Sequence, residues 1–167
     1  HSSGLPAHVK LWERVRGRAA FERAIAATPL ERAPGTASAY SDLGFMLLGF
    51  VLEDLAGAPL DAQFVPLAAA LGGSIGYRPS ADLASRTAPT EDDPWRGHVL
   101  RGEVHDENAA ALGGVAAHAG LFGTAAAVGA FARLVLATFA QPTWLGSPAW
   151  LPRVDMMITV SGLGFGV

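Results

Sequence analysis

The chain has 167 residues, half of them hydrophobic and only 16% charged, with a formal charge of −3. That balance suits one domain with a sizeable core and excludes long solvated tracts. The basic footprint of a nucleic-acid binder is missing, because the arginines are scattered and Lys10 is the single lysine. Absence of cysteine rules out a disulfide scaffold and a thiol nucleophile.

In chain order, residues 1–10 read as a loop broken by Gly4 and Pro6. Residues 19–27 have helical composition and stop before Pro29, which cannot continue a helix. Pro34-Gly35 is a turn. The spacing then predicts a central helix over 42–56, with Leu43, Met46, Leu47, Phe50 and Val51 on one face. Phe45, Leu48, Leu52 and Leu55 cover much of the remainder, so this helix is expected to be buried nearly all round. Ser41 or Asp42 suits its N-cap and Gly57 its C′ position.

A second helix is expected over 60–71 despite Pro66. Residues 72–108 are rich in Gly, Pro, Asp and Arg and read as a long loop-rich excursion. A Gly-rich turn at 113–123 leads into a helix over 124–139 with Thr124 as N-cap. A Pro/Trp-rich loop, a short helix over 147–158 and a strand over 161–167 close the chain. No candidate apolar run reaches the roughly 18 uninterrupted residues of a membrane span. The absence of an initiating Met and of a signal-peptide pattern, with an unpartnered strand at the end, reads as an internal piece of a longer protein.

The polar residues at the mouth of the central helix are the first chemical candidates. A phenol is a poor base at its ordinary pKa of about 10, but a helix N-terminus and a nearby cation favour the phenolate. Tyr40 therefore has two readings, a proton acceptor or a half-buried structural tyrosine. Gly72-Gly73-Ser74-Ile75-Gly76 spells the nucleophile elbow of α/β-hydrolases, yet a helix-like segment stands where that motif requires a strand. An elbow at Ser74 would be supported if Ser74→Ala abolished activity while Tyr40→Phe did not. His105-Asp106-Glu107-Asn108 and His118 offer no metal-ligand spacing, and Gly113-Gly114 lacks a phosphate-loop frame. No metal or cofactor is assigned.

Taken together, these segments resemble the serine β-lactamase and penicillin-binding superfamily, in its class C-like and esterase branch. His1-Ser2-Ser3-Gly4-Leu5-Pro6 is similar to the H-[ST]-S-G-L-P loop of that family. Pro34-Gly35 with Tyr40-Ser41-Asp42 and Leu47-Leu48-Gly49 is similar to its PG…YS[ND]…LLG block. Gly113-Gly114 and Leu121-Phe122-Gly123-Thr124 resemble its GG…T turn into a helix. Residues 104–109 with 113–122 are similar to a subgroup that includes penicillin-binding protein 4B-like proteins, and serine hydrolase domains fused to glycosidases carry similar segments.

The resemblance implies an α+β fold, a helical lobe with an antiparallel sheet, of which this chain would hold mostly the helical lobe. It implies a serine hydrolase that forms an acyl-enzyme on an amide or ester: a D-Ala-D-Ala peptide, a β-lactam or a small ester. Tyr40 becomes the general base or proton shuttle, Ser41 a minor member of the motif, and Asp42 a supporting residue where most class C relatives have Asn. An ionised Asp42 accepts hydrogen bonds but donates none, which weighs against efficient β-lactam hydrolysis. It could still pair with a lysine. The family's S-x-x-K is expected upstream of His1 and its [KH]-[TS]-G strand after residue 167, since Ala7 stands three before Lys10 and His118-Ala119-Gly120 precedes the wrong element. On this reading residues 1–167 are one incomplete domain, inactive alone. A non-catalytic peptide-binding or interaction domain is the alternative. The implied partner is a small-molecule or peptide substrate and the implied location is the cell envelope.

Overall fold

The computed structural model describes residues 1–140, with side chains to Leu134 and at Leu136. The elements expected over 147–158 and 161–167 lie outside the described residues. A 3-10 turn at Leu11–Glu13 is followed by helices α1 (Arg18–Ala26), α2 (Asp42–Ala56) and α3 (Leu60–Ala70). The excursion then supplies β1 (Ile75–Tyr77), α4 (Ala81–Ser85), β2 (Asp92–Asp93) and β3 (His98–Val99). Helix α5 (Glu107–Ala111), β4 (Leu121–Gly123) and α6 (Ala125–Ala140) complete the order. The architecture is α+β and mostly helical, with β1 antiparallel to β4 and β2 antiparallel to β3.

The boundaries of α2 follow from its end residues. Ser41 is extended and accepts the Gly44 N–H at 3.2 Å, while Gly57 closes the helix in the left-handed region at φ 62°. Leu43, Met46 and Phe50 bury themselves against Phe21 and Ile25 of α1, with Leu5, Leu11 and Ala111 completing the cluster. Each large side chain buried this way contributes about 1.5–3 kcal/mol. Arg18 spans the α1–α2 seam, bonding Glu22 at 2.8 Å, Glu53 at 3.3 Å, Asp54 at 2.5 Å and the Phe50 carbonyl at 3.2 Å.

The expectation that α2 is buried nearly all round is corrected. Leu48, Val51, Leu52 and Leu55 are exposed, Leu55 to 80%. Only the stripe facing α1 and the N-terminal loop is covered, together with Gly49 on its flank, where Leu60 of α3 and Ala117 come close. A Cβ there would stand 2.9 Å from the Ala117 Cβ and 3.1 Å from Leu60 Cδ1. Among the described residues no single helix is long and apolar enough to cross a membrane.

Inside the excursion, buried Asp93 accepts the Trp95 N–H at 2.7 Å and pairs with Arg96. Burial pushes that carboxyl up, but the Arg96 guanidinium and the two backbone donors outweigh it and hold it below the ordinary range. Arg96 also donates to the carbonyls of Val104 at 2.6 Å and His105 at 2.7 Å. Those two bonds fix where the chain re-enters the body, one residue before Asp106.

Candidate active-site segment

Residues 1–8 lie along residues 31–42 and bond to them through the main chain. Gly35 N–H donates to the Ser2 carbonyl at 2.8 Å, Glu31 N–H to Gly4 at 2.9 Å, Ala39 N–H to His1 at 2.8 Å and Asp42 N–H to Ala7 at 2.9 Å. The His1–Pro6 and Tyr40–Asp42 blocks, picked out separately in the sequence, thus form one surface. Glycine is needed where they touch: a Cβ on Gly4, whose φ is +80°, would lie 2.2 Å from the Arg32 carbonyl oxygen.

Ser41 is the anchor. It is 1% exposed, its hydroxyl donates to the Pro6 carbonyl at 2.7 Å while capping α2, and its N–H donates to His1 Nδ1 at 3.2 Å. All its hydrogen-bonding groups are occupied by structure, so it holds Tyr40 and Asp42 rather than reacting. The His1 ring packs between Tyr40 and Phe45, with centroids 4.6 and 4.7 Å away.

Tyr40 itself stands 61% exposed, and its hydroxyl has no hydrogen-bond partner among the described residues. The expectation that its surroundings favour the phenolate is corrected. Partial burial, then the charges of Asp42 and Asp106, push the phenol above its ordinary value. Tyr40 lies outside the helix, ahead of the Ser41 cap, and the charges acting on it are negative.

Asp42 is mostly covered and takes a contact from His8 Nδ1 at 3.2 Å. Across from it, Asp106 caps α5 by accepting the Ala109 N–H at 2.7 Å, and its Oδ1 also meets His118 Nε2 at 2.9 Å. Burial raises the Asp106 carboxyl, but the His118 and Ala109 bonds and the charges of His118 and His8 outweigh it, leaving the pKa below the ordinary value. Asn108, fully buried, accepts the Trp12 N–H and donates to the Val9 carbonyl, both at 3.0 Å. It ties α5 to the loop that carries His8.

Around the consecutive Tyr40, Ser41 and Asp42 the structure gathers His8, Asp106 and His118. Sequence reading weighs Asp106 and His118 only for metal-ligand spacing, which they lack, and does not single out His8. Their neighbours are 34 residues away for His8–Asp42 and 12 for His118–Asp106, so no short motif records them. Ser74 is exposed in a turn between α3 and β1. Helix–turn–strand is the reverse of an elbow's order, which removes the α/β-hydrolase reading.

A family model described as Beta-lactamase matches residues 1–166. A protein of Escherichia coli K12 named "Putative D-alanyl-D-alanine carboxypeptidase" is 33% identical over 147 residues, covering 73% of this chain and 33% of that protein. The N-acetylmuramyl-L-alanine amidase of Bacillus subtilis is 39% identical over 113 residues, covering 58% of this chain and 26% of the relative. The chain thus spans about a third or less of the length of these curated relatives. The crystal structure of a penicillin binding protein from Bacillus halodurans superposes with a TM-score of 0.58 at 21% identity, covering 83% of this chain and 44% of that one. A likeness at that identity speaks to the fold. With the family model spanning residues 1–166 and the Tyr40–Asp42 block seated on the His1–Pro6 loop, the chain belongs to the beta-lactamase family, within the serine β-lactamase and penicillin-binding superfamily.

Proposed function

We propose that the whole protein is a serine hydrolase that cleaves an amide or ester through an acyl-enzyme, and that this chain carries its proton-shuttle segment. Tyr40 relays the proton, Ser41 holds it in place and Asp42 supports it. The observation that carries this reading is the single surface made by the two family blocks, which leaves the Tyr40 hydroxyl exposed, without a hydrogen-bond partner among the described residues, beside the carboxylates of Asp42 and Asp106. The names of the carboxypeptidase and amidase relatives favour a cell-wall peptide as substrate and the cell envelope as location.

The nucleophile and its lysine come from outside these 167 residues, because Lys10 has Ala7 and not serine three positions before it. Residues 1–167 are then one part of a β-lactamase-like domain. The raised pKa of Tyr40, set first by burial and then by Asp42 and Asp106, leaves room for this division of labour: a lysine ammonium brought near Asp42 would offset the charge of that carboxylate on the phenol. Labelling with a fluorophosphonate tests the proposal. The whole protein is expected to take one equivalent on a serine of an S-x-x-K segment and to hydrolyse a D-Ala-D-Ala peptide. The 167-residue chain alone is expected to take none, and a stoichiometric adduct on it would overturn the assignment.

A further inference from the structure

A proton shuttle has to be held in place, and the Tyr40 hydroxyl supplies no grip of its own. The residue is mostly exposed, and its hydroxyl has no hydrogen-bond partner among the described residues. The grip comes from His1, which touches this segment at three points. Its carbonyl accepts the Ala39 N–H at 2.8 Å and its Nδ1 accepts the Ser41 N–H at 3.2 Å. Its ring lies on the Tyr40 ring, with centroids 4.6 Å apart and planes tilted by 32°. One residue thus fixes the main chain on both sides of the tyrosine and the face of its ring.

These contacts place distinct demands on the side chain. An amide that donates to Nδ1 needs the ring lone pair there, so the imidazole proton sits on Nε2. Ser41 is buried, so its N–H has no water to turn to and needs an acceptor at that point. The ring is backed in turn by Phe45 from the first turn of α2, with centroids 4.7 Å apart and planes tilted by 48°. Phenylalanine in place of His1 would supply the ring alone, and asparagine the acceptor alone. Histidine supplies both.

We propose that His1 is a positioning residue of the proton shuttle, clamping residues 39–41 and stacking on the phenol so that the Tyr40 hydroxyl is presented at a fixed place. The clamp acts through Tyr40 and takes no proton itself. Misplacing a reacting group by about 1 Å can cost on the order of 10²-fold in rate, so a clamp on an otherwise unheld ring has a large effect to exert. As a statement about turnover the inference rests on the hydrolase reading; as a statement about the Tyr40 ring it does not.

Two measurements test it. In the 167-residue chain, Tyr77→Phe leaves Tyr40 as the single phenol, and ultraviolet difference titration follows it alone. Burial is the first cause of the raised Tyr40 pKa, so His1→Ala and His1→Asn, which uncover the ring, should bring it down toward the ordinary value. His1→Phe, which keeps a ring over the phenol, should leave it raised. Far-UV circular dichroism checks that the variants fold. A titration that neither His1→Ala nor His1→Asn moves overturns the clamp.

In the whole protein, His1→Ala is expected to lower kcat for a D-Ala-D-Ala peptide by about 10–100-fold, with KM changed less than about threefold. His1→Phe should recover most of that loss. Once Tyr40→Phe has removed the hydroxyl, adding His1→Ala should cost less than about twofold more, because the clamp then has nothing left to present. Losses that multiply in the double variant mean that His1 acts on the fold at large, and they overturn the positioning role. Wild-type protein that neither takes the fluorophosphonate nor turns over the peptide brings down the hydrolase reading instead, and the phenol titration then decides the clamp by itself.

Discussion

Tyr40 and Tyr77 are the two tyrosines of the chain, and the fold places them in contrasting settings. Tyr77 sits on β1, donates its hydroxyl to the Ala116 carbonyl at 3.0 Å and meets the Phe64 ring edge-on at 5.8 Å. Tyr40 sits ahead of α2 with its ring against His1 and its hydroxyl unbonded among the described residues. Both phenols are pushed up, first by burial and then by carboxylates, Asp42 and Asp106 for Tyr40 and Asp61 and Glu53 for Tyr77. The difference lies in the hydroxyl. One is committed to closing the main chain, and the other is held at a defined place with nothing to do in the fold. A side chain whose position is fixed and whose polar atom is spare is the kind that can serve chemistry.

The sharpest way to break the comparison is to remove each hydroxyl in the whole protein. Tyr40→Phe should lower turnover of a D-Ala-D-Ala peptide by about 10²–10⁴-fold, the usual worth of a positioned proton-transfer group. Tyr77→Phe should change it by less than about tenfold. Equal losses in the two variants would mean that Tyr40 acts through structure, as Tyr77 does, and the proton-shuttle assignment would fall.

Stability should rank the two sites in the opposite order. Gly120 has φ +119°, and a Cβ there would stand 2.6 Å from the Gly114 carbonyl oxygen and 3.1 Å from the Tyr77 ring. Gly120→Ala is therefore expected to cost on the order of 1–3 kcal/mol, through backbone strain and displacement of that ring. Tyr77→Phe should cost about 1 kcal/mol for the lost bond to Ala116, whereas Tyr40→Phe should stay within about 0.5 kcal/mol. Urea midpoints at unchanged slope measure all three. A Tyr40→Phe chain as destabilised as Tyr77→Phe would place Tyr40 in the packing.

The same contrast marks how far the sequence could be read. The limits of α2 were legible because Ser41 and Gly57 are end signals and the Leu43, Met46 and Phe50 stripe has a helical period. Its exposed face was not, since period tells which residues share a side and not what stands opposite. Tyr40 to Asp42 were legible as a block through family resemblance. His8, Asp106 and His118 were not, because contacts made by the N-terminal loop, α5 and the turn after it leave no local spacing. The two-stranded pairing of β1 with β4 was missed for a related reason: three residues rich in Gly, IGY and LFG, carry too little alternation to signal a strand.

The smallest expected effect is also the most local. Ultraviolet difference titration reports ionisation of both phenols, and the charges acting on them do not overlap. Asp42→Asn and Asp106→Asn should each bring the Tyr40 pKa down toward its ordinary value and leave Tyr77 unmoved, while Asp61→Asn should do the reverse. The stability consequence has a definite sign. A phenol whose pKa is higher folded than unfolded keeps more protons in the folded state above about pH 10, so stability falls as pH climbs through that value toward the folded pKa. Each aspartate-to-asparagine change should flatten that alkaline fall, by way of Tyr40 for Asp42 and Asp106 and by way of Tyr77 for Asp61. If Asp106→Asn leaves the Tyr40 titration unchanged, Asp106 does not share a field with Tyr40, and the carboxylates beside the shuttle reduce to Asp42 alone.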